Sequence, residues 1–272
     1  MCRWAAYCGQ PLYLEDIISS PAHSLIEQSH RATEAKTTIN GDGFGVAWYG
    51  ERPEPGRFRD ILPAWSDCNL KSIVRQIRSP LFLAHVRAST GGGTSRDNCH
   101  PFVSGRWSFM HNGQISGFEK LRRAMEASLD EKHYSARRGT TDSELLFLMA
   151  LSNGLEEAPV AAMEKTLRAV ENLAHDHGME TVIRFTSCFS NGETLYAIRY
   201  ATDRAAPTLY YAPIGVDGIC LVSEPLNDDR ESWICIPDGS AVEISREGIL
   251  LEPFGDWNDC AEGVTALQAM TK

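Results

Sequence analysis

A chain of 272 residues, 43% hydrophobic and 23% charged, has the make-up of an ordinary globular protein and enough length to bury a substantial core. Its formal net charge of −10 argues against nucleic acid or an anionic membrane as the main partner. No apolar run approaches the roughly 18 residues of a membrane span, and Glu15 and Asp16 interrupt any secretory apolar core early. The expectation is therefore a cytoplasmic protein whose eight scattered cysteines, with no C-x-x-C pair among them, stay reduced.

In chain order, residues 2–8 read as a short strand and Pro21 to Ala32 as a helix start, with proline near its first turn. Gly43 to Tyr49 reads as a strand opened by a glycine-rich turn, and residues 51–60, with two prolines and several charges, as a loop. Asn69 to Arg78 is predicted helical. Leu81 to Arg87 is a strong strand broken by Gly91-Gly92-Gly93, and Trp107 to His111 is another. Helices dominate from about 117 to 176. In the last of them Val160, Met163, Leu167, Val170 and Ala174 recur at spacings of three and four, a core-facing stripe. From Thr181 onward, short apolar or alternating runs return at 181–188, 194–201, 208–212, 219–223, 232–236 and 241–251. Gly, Asp and Pro separate them, the pattern of an antiparallel meander. Cys220, inside one such run, reads as a packing residue. No repeat or low-complexity linker divides the chain, so a single domain over 2–272 is expected.

Chemistry is suggested first at the start of the chain. Initiator methionine is usually trimmed ahead of a small residue, and trimming Met1 would leave Cys2 with a thiol and a free α-amine. A thiol with a pKa of about 8.5 and an amine of about 7.7–8.0 make a nucleophile and base on one residue. His85-Val86-Arg87-Ala88-Ser89-Thr90 places an arginine at the end of an apolar strand, where a flexible turn would leave its guanidinium exposed. Such a group suits a bidentate grip on a carboxylate, although by itself the segment better suits an ordinary surface ion pair. His100, in Asn98-Cys99-His100-Pro101-Phe102, reads as a structural residue in a loop. His111-Asn112-Gly113 reads as an Asn-Gly turn whose side-chain amide and backbone N–H could serve one oxyanion, or simply as a turn. Thr141-Asp142-Ser143-Glu144 carries a capping-box pattern ahead of a helix, which accounts for it without a functional carboxylate at Asp142.

Taken in order, these segments closely resemble the class II glutamine amidotransferases, which are N-terminal-nucleophile hydrolases. The motifs are Met1-Cys2, His85-Val86-Arg87-Ala88-Ser89-Thr90, Asn98-Cys99-His100-Pro101, His111-Asn112-Gly113 and Thr141-Asp142-Ser143-Glu144. Asn40-Gly41-Asp42-Gly43-Phe44-Gly45 and Ser223-Glu224-Pro225-Leu226 also fit, so the likeness covers essentially the whole chain. Within the family the chain looks most like stand-alone members, the fungal glutathione-degradation subunit and the ergothioneine-pathway γ-glutamyl hydrolase.

The resemblance implies an α+β fold, a four-layer αββα sandwich. It further implies Cys2 as nucleophile with its α-amine as base, and Asn112 with the Gly113 N–H as oxyanion hole. Arg87, helped by Thr90, would bind the glutamyl α-carboxylate, and Asp142 the α-ammonium. No metal or organic cofactor is required. Glucosamine-forming relatives carry Trp and His where this chain has Ala88 and Gly91, which implies room for a leaving group larger than ammonia. Three functions follow as expectations. The first is hydrolysis of glutathione or a related γ-glutamyl compound, with a peptidase-like partner. The second is a glutaminase subunit delivering ammonia to a separate synthase, and the third a silent scaffold, against which the intact motif residues weigh.

Overall fold

The computed structural model describes residues 2–34, 37–89 and 93–255. Thr90 and Gly91 lie outside the described residues, as does Cys260. Two antiparallel sheets face each other, and helices cover the outer face of each, which is the four-layer sandwich expected. At the centre of the seven-stranded sheet runs β1 (Arg3–Tyr13), between β4 (Arg78–Val86) and β10 (Gly218–Val222). Beyond β4 lie β2 (Phe44–Tyr49) and β3 (Gly56–Asp60), and beyond β10 lie β9 (Tyr210–Ile214) and β11 (Ile234–Cys235). The six-stranded sheet runs β5 (Phe102–Ser104), β6 (Trp107–Ile115), β7 (Ile183–Ser190), β8 (Leu195–Ala201), β12 (Ser240–Ser245), β13 (Gly248–Pro253).

Strand β1 shows why its sequence reads as almost uninterrupted apolar residues. Trp4, Ala6 and Cys8 point into the seam between the sheets, while Ala5 and Tyr7 point toward the helices, so neither face of residues 4–8 meets water. The first sheet is covered by α1 (Glu15–Ile18), α2 (Leu25–His30) and α3 (Cys68–Val74), through residues such as Ile17, Leu25 and Leu70. Over the second lie α4 (Phe118–Ala127), α5 (Glu131–Ala136), α6 (Asp142–Ser152) and α7 (Pro159–Asp176). Met163, Leu167, Val170 and Ala174 of the predicted stripe are buried on α7, and Val160 packs beside them. Helix α6 is buried on every side from Ser143 to Leu151, since α4, α5 and α7 surround it over the sheet. Among the described residues, no helix is long and apolar enough to cross a membrane.

Several boundaries differ from the sequence reading. Residues 56–60 are not loop but the edge strand β3, paired with β2. Its charges sit between apolar contacts, Phe58 packing on Phe44 with ring centroids 5.7 Å apart, and an edge strand tolerates such charge. The helix expected from Pro21 begins at Leu25, where the Ser24 hydroxyl accepts the Glu27 N–H at 3.3 Å. Helix α3 stops at Val74, leaving Arg78 to open β4. The run 241–251 is a hairpin, β12 and β13 folding back at Ser245 and Gly248.

Polar side chains cross the inter-sheet seam. Trp4 Nε1 donates to the Thr186 carbonyl at 3.4 Å, and His85 Nε2 donates to the His111 carbonyl at 3.4 Å. His100 stacks on His85 with centroids 4.2 Å apart and meets the edge of Phe102. Neither nitrogen of His100, nor Nδ1 of His85, has a hydrogen-bond partner among the described residues. Burial pushes His85 down to about 3 and holds His100 well below the ordinary histidine range. Both rings are therefore neutral in the folded protein, while an unfolded chain protonates them near pH 6.5. Below that pH the unfolded state binds more protons, so stability falls by about 1.4 kcal/mol per pH unit for each ring until the folded pKa is reached. Urea unfolding between pH 7 and pH 4 should show this acid slope, and His100→Phe should flatten it by about one proton's worth. An unchanged slope would contradict the account.

Candidate active site

The paired ladder of β1 and β4 begins at Arg3 and Val86, so one step further along it Cys2 lies across from Arg87. The half-buried Cys2 sulfur packs on the next backbone unit. The Ala88 N–H donates to Sγ at 3.4 Å, and the thiol faces the Ala88 carbonyl oxygen at 3.6 Å. Burial raises the thiol pKa, and the Ala88 contact and the positive charges of Arg87 and Arg3 oppose that rise without overcoming it. A thiol so placed stays protonated at rest and needs a base to become a nucleophile.

Arg87 is not exposed as the sequence suggested; it is only 3% accessible. Asp42 and Gly43 strap it down. The Arg87 N–H donates to the Gly43 carbonyl at 2.8 Å, and the Asp42 N–H donates to the Arg87 carbonyl at 3.0 Å. Its guanidinium donates to the Asp42 carbonyl at 3.3 Å and to Ser89 Oγ at 3.1 Å. The Asp42 carboxylate accepts the Ser89 N–H at 2.7 Å instead of pairing with the guanidinium. The cation thus remains available to a carboxylate, using two of its five donors on neutral oxygens. Gly43, at φ +113°, makes this strap possible, because a Cβ there would strike Cys99 Sγ.

Across the seam, Asn112 and Gly113 do not form a turn. They sit inside β6, opposite Thr186 and Phe185 of β7. Gly113 has φ +154°, and a Cβ would collide with the Arg184 carbonyl oxygen and crowd His111 Nε2. The Asn112 side chain is 0% accessible, yet neither its oxygen nor its nitrogen has a hydrogen-bond partner among the described residues. Leaving a buried amide unpaired costs about 1–3 kcal/mol.

Asp142 opens α6. The Thr141 hydroxyl caps the helix by accepting the Glu144 N–H at 3.2 Å, which is half of the predicted capping box. The other half is replaced, since the Glu144 carboxylate accepts from the Arg138 and Gly139 N–H groups at 3.0 and 2.7 Å. Asp142 Oδ2 accepts the Ile115 N–H at 3.0 Å, tying the helix start to β6 two residues beyond Gly113. Ser143 Oγ lies 2.9 Å from His111 Nδ1, and His111 Nε2 lies 3.2 Å from the Arg184 carbonyl. Since the Arg184 carbonyl only accepts, a proton belongs on His111 Nε2, and the single Ser143 hydroxyl proton is shared between His111 Nδ1 and Asp142 Oδ1, 3.2 Å away. Burial lowers the His111 pKa against the pull of the Asp142 charge, which keeps that tautomer neutral.

The fold thus brings Cys2 and Arg87 together on one sheet and Asn112 and Gly113 together on the other, with Asp142 tied to that second sheet from the start of α6. Trp4 and His85 bridge the two sets, Trp4 bonding the carbonyl of Thr186, the strand partner of Asn112. The arrangement holds a thiol, a buried amide donor, a cation and a carboxylate, which suits acyl transfer on a substrate bearing both charges. Sequence reasoning gave no role to Asp42 or Ser143, which hold Arg87 and His111; Asn40-Gly41-Asp42-Gly43 was a visible signal for the first. Among the described residues no three His, Cys, Asp or Glu side chains gather to hold a metal ion.

Residues 16–216 match the family described as glutamine amidotransferases class-II. The chain is 31% identical to a probable glutamine amidotransferase of Saccharomyces cerevisiae, over 94% of this chain and 85% of that protein. It is 28% identical to the gamma-glutamyl-hercynylcysteine sulfoxide hydrolase of Mycolicibacterium smegmatis, over 93% of this chain and all of that one. Among solved structures, a glutamine aminotransferase class-II domain protein from Silicibacter pomeroyi superposes with a TM-score of 0.73 at 39% identity, over 93% of this chain and all of that one. The glutamine phosphoribosylpyrophosphate amidotransferase of B. subtilis shares the fold at a TM-score of 0.66 and 14% identity, this chain spanning half of it.

Gly113→Ala should be poorly tolerated. The collision with Arg184 and the positive φ together are expected to cost at least about 2 kcal/mol in urea unfolding. A variant as stable as the parent would show that β6 can relax at this point.

Proposed function

Because the chain belongs to the class II glutamine amidotransferases and is an amidohydrolase of that type, we propose that it cleaves the γ-glutamyl amide bond of glutathione or a closely related γ-glutamyl compound, releasing glutamate. The observation that carries this reading is the Cys2 sulfur held against Ala88 at the level of the buried Arg87 cation, on the sheet that Trp4 ties to the strand partner of Asn112, whose buried amide has no partner among the described residues. With Met1 removed, the α-amine of Cys2 takes the thiol proton and the sulfur attacks the γ-carbonyl carbon. The oxyanion so formed is stabilised by the Asn112 amide and the Gly113 N–H. The α-ammonium then protonates the departing amine as the C–N bond breaks, leaving a γ-glutamyl thioester. Water, deprotonated by the same amine, attacks the thioester carbonyl, and the thiolate leaves and regains its proton as glutamate departs.

Arg87, with Thr90, holds the α-carboxylate and Asp142 the α-ammonium, so the glutamyl group is read at both charges while its γ-carbonyl lies over the sulfur. A leaving group larger than ammonia is supported by Ala88, a small residue whose backbone meets the sulfur, at a position where glucosamine-forming relatives carry an indole. It is also supported by the name of the mycobacterial relative, a hydrolase of a bulky γ-glutamyl compound.

The test is glutamate release from glutathione and from glutamine in parallel, using protein whose intact mass shows that it starts at Cys2. Faster release from glutathione, abolished by Cys2→Ala, is the expected result. Preference for glutamine would instead make the chain an ammonia donor and direct the search to a synthase partner. For the oxyanion hole, Asn112→Ala should lower kcat by about 10²–10³-fold. Its unfolding free energy should not fall, because the amide has no protein partner to lose and the cost of burying it unpaired is removed. A large stability loss with unchanged kcat would assign Asn112 to the core.

A further inference from the structure

Ser223 and Glu224 take no part in the chemistry above, yet they grip the residues that follow the nucleophile. Beyond the end of β10, the Ser223 N–H donates to the Trp4 carbonyl at 3.0 Å and Ser223 Oγ accepts the Trp4 N–H at 3.1 Å. Next to it Glu224, 3% accessible, forms an ion pair with Arg3, which is wholly buried, at 3.2 Å between Oε1 and Nη1. Arg3 in turn donates from Nε to the carbonyl oxygen of Cys2 at 2.7 Å. The carboxylate is itself fixed from the other side. Oε2 accepts the Thr33 N–H and hydroxyl, both at 2.9 Å, and Oε1 accepts the Glu34 N–H at 2.9 Å.

Burying two charges is costly, and an apolar pair of similar volume would often serve stability as well or better. Stability is therefore a poor account of an arginine and a glutamate at this point. What the pair does have is a direct bond to the nucleophile's own backbone. We propose that Arg3 and Glu224 are positioning residues that lock the peptide plane of Cys2, and with it the orientation of the thiol and α-amine toward the substrate carbonyl.

Cys2 precedes the first paired residue of β1, so sheet pairing alone leaves its carbonyl unheld. Residues at a strand end pivot readily, and for an N-terminal nucleophile every pivot carries thiol and base away together. Arg3 removes that freedom through one directed N–H, and Glu224 keeps the guanidinium from turning. The chain of contacts then runs from Cys2 through Arg3 and Glu224 to Thr33 and Glu34, which follow α2. This inference rests on Cys2 being the nucleophile.

The test compares Arg3→Lys and Glu224→Gln with the parent, each starting at Cys2, on the substrate that the parent cleaves. Lysine keeps a charge for Glu224 but loses the Nε–H directed at the Cys2 carbonyl. The expected result is a kcat lower by about 10- to 100-fold, the cost of misplacing reacting groups by an ångström or less. KM should stay within about threefold, since the groups assigned to the glutamyl moiety are untouched. Cys2 should also react faster with iodoacetamide, read by intact mass, because a loosened thiol is better exposed. Thermal unfolding is followed alongside. If either variant fails to fold, Thr33→Val carries the test by weakening the Glu224 anchor at a distance, with a smaller kcat loss expected at unchanged KM.

A kcat within twofold of the parent, a rise in KM alone, or a loss that only tracks the folded fraction would overturn the proposal. Wild-type turnover in Arg3→Lys beside an inactive Cys2→Ala would sink the positioning role and leave the nucleophile standing. Turnover in Cys2→Ala would sink both.

Discussion

Antiparallel pairing of β1 between β4 and β10 is the constraint on which the rest of this molecule depends. Hydrogen bonds on both edges hold residues 5–8 in the middle of a seven-stranded sheet, and the register with β4 is what carries Cys2 to the level of Arg87. A slip of one residue would turn Trp4 out of the seam and move the thiol from the Ala88 backbone. The register is well specified because both faces of β1 are buried, with large and small side chains alternating against different layers. An N-terminal strand is normally the part of a domain most prone to fray. Here its first six residues, Arg3 to Cys8, are buried.

The seam also explains why so many polar groups lie inside the protein. Most of the space between the sheets is filled by residues such as Leu83, Met110 and Leu221, but at the Cys2 end it holds His85, His100, Asn112 and the indole of Trp4. Unpaired polar atoms in such a place cost free energy and are tolerated where a site needs donors fixed in advance. The Asn112 amide has no hydrogen-bond partner among the described residues, although its strand pairs with β7 on its backbone. Arg87 is the complementary case, a buried cation whose contacts are with neutral oxygens. Low polarity around these groups strengthens their interaction with any charge that arrives.

Much of this was legible in the residues themselves. The Met-Cys start, the strand ending in Arg87, the Asn112-Gly113 pair and the Thr141-to-Glu144 cap can each be seen by eye, and their order identifies the family. Legibility ended where meaning depended on a distant partner. Asn-Gly reads as a turn because it usually is one; only β7 lying alongside makes it the interior of a strand. Arg87 reads as exposed because glycines follow it, but the strap that buries it comes from Asp42 and Gly43, far back in the chain. Charge made residues 56–60 look like loop, since a local reading cannot see that an edge strand has only one neighbour to satisfy.

What the sequence by itself determined was the set of chemical groups and the succession of strands and helices, the four-layer sandwich being implied by the family resemblance. That succession follows from local rules, alternation in strands and the three-to-four spacing in helices, that need no knowledge of the rest of the chain. Tertiary structure alone decided which of those groups meet. The linking of Arg3 to Glu224 joins positions more than two hundred residues apart, and nothing local to either predicts it. Burial, and with it the neutrality of the histidines and the protonated state of the resting thiol, is likewise a property of the packed layers, because the cost of a charge depends on what surrounds it in space.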